Sequence, residues 1–170
     1  RMDHGASDDD QPTRWRQSTM NVVVEAARSW VGTPYVHRAS LKGVGADCLG
    51  LLRGVWLDVL ACEPEAVPVY SADWIDPTGG ETLWAACARH MRDKPVSEDM
   101  SGDILLFRMR DRSVAKHLGV QARTGPQGSF VHAYSGHGVV ETSLSPAWQR
   151  RVVARFVFPL PNETDQTRGA

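Results

Sequence analysis

The chain lacks a surplus of either charge. Its 19 Lys and Arg stand against 20 Asp and Glu, a formal net charge of -1 at pH 7. A protein that tracks a phosphate backbone carries a basic excess, so the balance argues against nucleic acid as a partner. It has no run of eighteen apolar residues, which argues against a membrane-spanning helix. Cysteine is scarce: three residues, Cys48, Cys62 and Cys87, an odd count that no internal disulfide framework can use completely. No Cys-x-x-Cys or His-Glu-x-x-His spacing occurs, so the usual zinc patterns are missing. Internal repeats and low-complexity blocks are absent too. The polar stretch 1–16 has no apolar core of the secretory-leader kind.

What remains is the composition of an ordinary folded domain, 42% hydrophobic and 23% charged over 170 residues, enough to bury a core. Residues 1–18 are expected to be a flexible arm or non-native lead, with Asp8, Asp9 and Asp10 solvated. Residues 19–160 are expected to form one domain, and 161–170 a flexible tail. Hydrophobic period predicts a helix over 21–31, with Val23, Ala26, Ala27 and Trp30 on one face, ended by Thr33-Pro34. A second helix is predicted over 47–60, where Cys48, Leu51, Leu52, Val55, Trp56 and Val59 repeat at helical spacing and Asp47 can cap the start. Residues 63–79, rich in Pro and aromatics, read as a long loop, and 80–92 as a third helix. The period then shortens. Strands are predicted at 103–109, 116–122, 129–134, 138–142 and 152–158. Helices followed by strands predict an α+β fold with an antiparallel sheet.

Cys48 stands where a nucleophile would be useful. It opens a predicted helix, where free N–H groups and the helix dipole favour a thiolate, and it follows a Gly-rich stretch that can expose it. The same N–H groups can stabilise a developing oxyanion. A base must come from elsewhere. His117 lies on a predicted strand with Gly119 on its face, which leaves room for a neighbouring side chain or substrate. His132 lies on the next strand. If the two strands pair, His132 can orient His117, as the third member of a triad does. A zinc site made of Cys48, His117 and His132 is the weaker reading, since the supporting spacing is missing. Cys62 and Cys87 are expected to be buried fillers. His37, His90 and His137 have no supporting context, and His137 is expected in a turn. Tyr70 and Trp74 could form a substrate wall or pack the loop.

Five separate stretches, in order, resemble the NlpC-type (NlpC/p60) cysteine peptidases: Gly32-Thr33-Pro34-Tyr35, Asp47-Cys48-Leu49-Gly50-Leu51, Gly102-Asp103, His117-Leu118-Gly119-Val120 and Val131-His132-Ala133. The resemblance extends over roughly residues 20–158. Leu49, with Val69-Tyr70 and Asp73-Trp74, is similar to the subgroup carried by tailed phages and gene transfer agents, the gene transfer agent tail peptidases in particular. The resemblance implies a papain-like fold, and a peptidoglycan stem peptide as substrate, cut between D-γ-glutamyl and the diamino acid through a thioester. It implies that Tyr35 lines the cleft and helps hold the reacting carbonyl, that Asp47 helps read the substrate's amine end, and that no cofactor is needed. One departure stands out. The family usually has Ser after the nucleophile, and Leu49 takes its place, which relaxes the expected need for a free amine. Synthesis in the bacterial cytoplasm without a signal peptide is expected, then delivery to the wall on a phage-like tail, with tail-tip or hub proteins as partners. The rival expectations are a thioester amidase or acyltransferase, and a wall-binding tail module of weak activity.

Overall fold

The computed structural model describes residues 22–65 and 80–161. The expected arm, the tail beyond residue 161, Tyr70, Trp74 and most of the Pro-rich loop lie outside them. A helix α1 passes through 22–28. A small hairpin follows, β1 (Ser40–Leu41) and β2 (Gly45–Ala46), and then α2 (Cys48–Leu60) and α3 (Thr82–His90). The remaining elements are β3 (Arg92–Lys94), β4 (Ile104–Phe107), β5 (His117–Arg123), β6 (Ser129–Tyr134), β7 (Gly138–Ser143), a single-turn helix α4 (Pro146–Gln149) and β8 (Val152–Val157). Strands β3 to β8 form one sheet in the order β3-β8-β4-β5-β6-β7, antiparallel at every pairing. The architecture is α+β, as the sequence predicts.

Three pieces escape the sequence pattern. The hairpin β1–β2 occupies the Gly-rich stretch, which carries no strand-like alternation. Arg92–Lys94 is an edge strand rather than the end of a helix; three charged residues have no apolar period to reveal them. The helix α4 is too short for periodicity, although its start is signalled by Ser145, which accepts from the Trp148 N–H, and by Pro146 in the first turn.

The two faces of the sheet bury different things. On one face Ile104, Leu106, Leu118, Val120, Val131, Ala133 and Phe156 pack against Leu51, Leu52 and Val55 of α2 and Val23 and Ala27 of α1. Each fully buried Val, Leu, Ile or Phe among them contributes about 1.5–3 kcal/mol, and each Ala less. Gly54 lets Trp30, in the turn after α1, approach α2, because a Cβ there would sit 1.9 Å from the Trp30 ring. On the other face Leu105, Phe107 and Phe130 form a smaller cluster, with Leu144, Trp148 and Val152 packed on it. His117 and His132 belong to this second face, against Phe107 and Phe130, with ring centroids 5.5 and 4.3 Å apart respectively.

A buried ionic knot ties the far end of the sheet. The Asp103 carboxylate accepts from Arg155 at 2.8 Å, from Lys94 at 2.8 Å and from the Met100 N–H at 2.9 Å. Arg155 also donates to the Gln121 side chain. The Gly102-Asp103 signal therefore marks a structural junction of β3, β4, β5 and β8, where removing one charge would strand its partner in the interior.

Candidate active site

The loop before α2 is folded onto the helix start by backbone bonds. Tyr35 bridges Ala46, the Ala46 N–H donates to the Pro34 carbonyl at 3.0 Å, and the Val36 N–H donates to the Ala46 carbonyl at 3.2 Å. This fixes Tyr35 beside the segment that ends in Asp47 and Cys48. Asp47 is the N-cap: Oδ1 accepts from the Gly50 N–H at 2.7 Å, and Oδ2 accepts from the Arg38 N–H at 2.7 Å. His37 Nδ1 lies 3.6 Å from the same Oδ2. Gly50 has a steric reason to be glycine, since a Cβ would stand 1.8 Å from the Ala39 carbonyl oxygen. Asp-Cys-x-Gly is thus a packing and capping signature before it is a catalytic one.

Cys48 is the first residue of α2, and its side chain meets the start of β5. Sγ lies 3.6 Å from the Lys116 carbonyl oxygen, one residue before His117. Burial, with only 9% of the residue exposed, pushes the thiol up to about 12, and the Asp47 charge pushes the same way. The backbone N–H groups of Leu118, Leu49 and Cys48 itself oppose that rise. The N–H groups at the helix start thus favour the thiolate, but desolvation outweighs them and favours the thiol.

The two histidines come together as expected. His117 Nε2 and His132 Nδ1 are 2.8 Å apart, both rings buried. Burial lowers His117 to about 3, with His132 adding to the effect. Burial lowers His132 to about 4, with His137 adding to it. With these shifts both imidazoles stay neutral at pH 7. The room beside Gly119 is taken by neighbouring side chains, Phe130 and Phe107, one of the two occupants that the sequence allows. Phe107 also packs on the His117 ring.

Two groups of this site were not legible in the sequence. The Thr142 hydroxyl lies 2.9 Å from His132 Nε2, extending the polar chain across a third strand. Trp148 of α4 packs against His117, His132, Phe130, Phe107 and Tyr134. His137 does sit in a turn, exposed, but it stacks on Tyr134 at 5.4 Å, and Tyr134 stacks on His132 at 5.4 Å. Tyr35 is half-buried; its phenol is raised by burial first, then by the charges of Cys48 and Asp47, so it remains a proton donor at neutral pH. Leu49 is half-buried and packs against the core. Cys87 is buried as expected, whereas Cys62 is exposed. The correction has a simple cause: α2 ends at Ala61 in a left-handed cap, so Cys62 leaves the buried stripe. Among the described residues, no group of three or more His, Cys, Asp or Glu is arranged to hold a metal.

No protein-family model matches the chain. The murein DD-endopeptidase MepH of Escherichia coli is 29% identical over 142 residues, which is 81% of this chain and 45% of that protein. The chain thus spans less than half the length of this curated relative. Among solved structures, the NlpC/p60 domain of the peptidoglycan hydrolase SagA superposes with a TM-score of 0.58 at 20% identity, over 82% of this chain and 98% of that one. An NLP/P60-family protein of Staphylococcus aureus, described as similar to lipoprotein, gives 0.55 at 20% identity, over 84% of this chain and 42% of that one. An NlpC/P60-family protein of Bacillus cereus gives 0.57 at 15% identity, over 84% and 40% respectively. These likenesses establish the NlpC/P60 fold.

Proposed function

We propose that this NlpC/P60-fold chain is a cysteine endopeptidase that cleaves peptidoglycan stem peptides. The observation that carries the reading is the buried His117–His132 bond, set at the start of the strand that meets the Cys48 thiol. A neutral thiol served by a neutral imidazole suits general-base catalysis, in which the proton moves as the bond forms. Cys48 Sγ attacks the amide carbonyl while its proton passes to His117 Nδ1, the ring nitrogen not bonded to His132. The oxyanion is held by the Cys48 backbone N–H and the Tyr35 hydroxyl. The C–N bond then breaks, and the amine leaves with the proton from His117. Water attacks the thioester, His117 takes a proton from it, and the sulfur leaves and is reprotonated. His132 orients His117 throughout, and no cofactor enters any step.

In this reading Asp47 holds the nucleophile in place and presents negative charge towards the substrate's amine end. Leu49 supplies no hydroxyl where the family usually has Ser, so a free amine is not strictly required. The bond cut is that between D-γ-glutamyl and the diamino acid. The relative's name, a murein DD-endopeptidase, adds a second bond to be distinguished. The finer part of the reading is delivery to the cell wall on a phage-like or gene transfer agent tail, with tail-tip or hub proteins as partners. It rests on the subgroup resemblance of Leu49 and of the 69–74 stretch. Among the described residues, no helix is long and apolar enough to cross a membrane.

The test is digestion of purified peptidoglycan by the native chain and by Cys48→Ala, with released fragments identified by mass. Stem-peptide fragments from the native chain alone are expected, and their masses name the bond. Equal release by both chains would overturn the nucleophile. Wall binding without release would favour the binding-module reading, and a transferred acyl group the acyltransferase reading.

A further inference from the structure

We propose that Thr142 is a positioning residue that sets the tautomers of the two histidines, by accepting the His132 Nε2 proton at its hydroxyl oxygen. The direction of the hydrogen-bond chain rests on the peptidase reading above; the two distances that build it do not.

For His117 Nδ1 to take the thiol proton it must carry a lone pair, so the ring's single proton sits on Nε2. That N–H donates across 2.8 Å to His132 Nδ1, which must then be unprotonated. The proton of neutral His132 is therefore on Nε2, and its neighbour is Thr142 Oγ1 at 2.9 Å. A hydroxyl can accept or donate, and the two choices have opposite results. If Thr142 donated, His132 would place its proton on Nδ1 and give it to His117 Nε2. The His117 proton would then sit on Nδ1, and the ring could not act as the base. Once His117 is protonated the choice is forced, because an imidazolium has N–H at both positions and needs His132 Nδ1 as acceptor. Only the order His117 to His132 to Thr142 satisfies both states.

The surroundings make a substitute for Thr142 hard to supply. His132 is only 1% exposed, and Phe130, Tyr134 and Trp148 surround its ring at 4.3, 5.4 and 5.2 Å between centroids. The ring itself is shielded from solvent, while Thr142 is half-buried. Thr142 arrives from β7, where it pairs with Phe130 in register, so its place is set by the sheet rather than by a loop. A residue on a regular strand holds its side chain within tight limits, which is what setting a tautomer requires.

The experiment uses the full chain with 15N-labelled histidine, in the native form and as Thr142→Val, Thr142→Ser and Thr142→Ala. Valine keeps the branched shape and removes the acceptor; serine keeps the acceptor. Long-range proton–nitrogen spectra at neutral pH read the tautomers directly. Native protein and Thr142→Ser are expected to show protonated Nε2 on both His117 and His132. Thr142→Val is expected to shift the pair towards protonated Nδ1, with kcat on peptidoglycan lowered about 10- to 100-fold and KM changed less than about twofold. Unchanged tautomers in Thr142→Val would overturn the proposal, as would Thr142→Ser losing the native tautomers while folded. If Thr142→Val does not fold, Thr142→Ala is read against the same criteria. The spectra need no turnover, so a chain inactive on peptidoglycan would sink the peptidase reading while leaving this one decided.

Discussion

The Trp148 indole stands edge-on to His132, ring centroids 5.2 Å apart and planes at 82°, and lies within 5.9 Å of His117. It covers the outer side of the bond between the two histidines, with the Arg151 guanidinium 5.3 Å above its own ring. Removing it would open that bond to water. Trp148→Ala should lower kcat on peptidoglycan about tenfold and cost about 2–4 kcal/mol of stability, whereas Trp148→Phe should retain most of both. Steady-state kinetics alongside urea unfolding checks this. Full activity in Trp148→Ala would show that the covering ring is dispensable.

Stability should fall in acid, with a sign fixed by the histidines. His117 and His132 are lowered to about 3 and about 4 in the folded chain. In the unfolded chain each titrates near ~6.5. Between these values the unfolded state binds more protons, so stability rises with pH across the window. The contribution is complete above the unfolded value and drains away as pH falls from about 6.5 towards 3. Urea unfolding at intervals from pH 4 to 7 should show this slope, and His132→Gln should show a shallower one. An identical slope in the variant would mean that His132 is not held neutral.

Thiol labelling should follow exposure. Cys62 is exposed, while Cys48 and Cys87 are buried and both pushed up to about 12. Limiting iodoacetamide at neutral pH should therefore mark Cys62 first in the ligand-free chain. This reverses the order that the helix-start argument alone gives. Peptide mapping by mass settles it: Cys48 labelled ahead of Cys62 would mean that the thiolate is favoured despite burial.

The Asp47 cap and its charge can be separated. Asp47→Asn keeps an oxygen for the Gly50 N–H but turns its NH2 onto the Arg38 N–H and should cost about 1 kcal/mol, whereas Asp47→Ala loses both bonds and should cost about 2 kcal/mol or more. If the carboxylate also reads the substrate's amine, Asp47→Asn should raise KM with kcat nearly unchanged. An unaltered KM would leave Asp47 as a cap alone. Gly50→Ala forces a Cβ to 1.8 Å from the Ala39 carbonyl and should cost about 2–3 kcal/mol or more, since backbone must move.

Much of this was readable in the chain. The period along 48–60 announced α2 and its buried stripe, Asp47 announced the cap, and the shift to short apolar runs announced the sheet. Cys48, His117 and His132 were legible because their flanking residues carry local demands, such as the crowding at Gly50. Other features left no local mark. Arg92–Lys94 pairs as a strand on charged residues alone. Thr142 looks like any strand threonine, and Trp148 like any exposed-helix tryptophan.

The sequence by itself determined the α+β class, the helix that begins at Cys48 and the strands that bear the two histidines, because period, capping and turn chemistry act between near neighbours. Only the tertiary structure decided the state of the site. How deeply Cys48 is buried sets its thiol up rather than down, and the rings that enclose His132 help keep it neutral. Whether Thr142 reaches His132 depends on the register of β6 against β7. Desolvation and hydrogen-bond order are properties of what surrounds a group in space, and part of those surroundings comes from distant positions, such as Lys116 at Cys48 and Thr142 and Trp148 at His132.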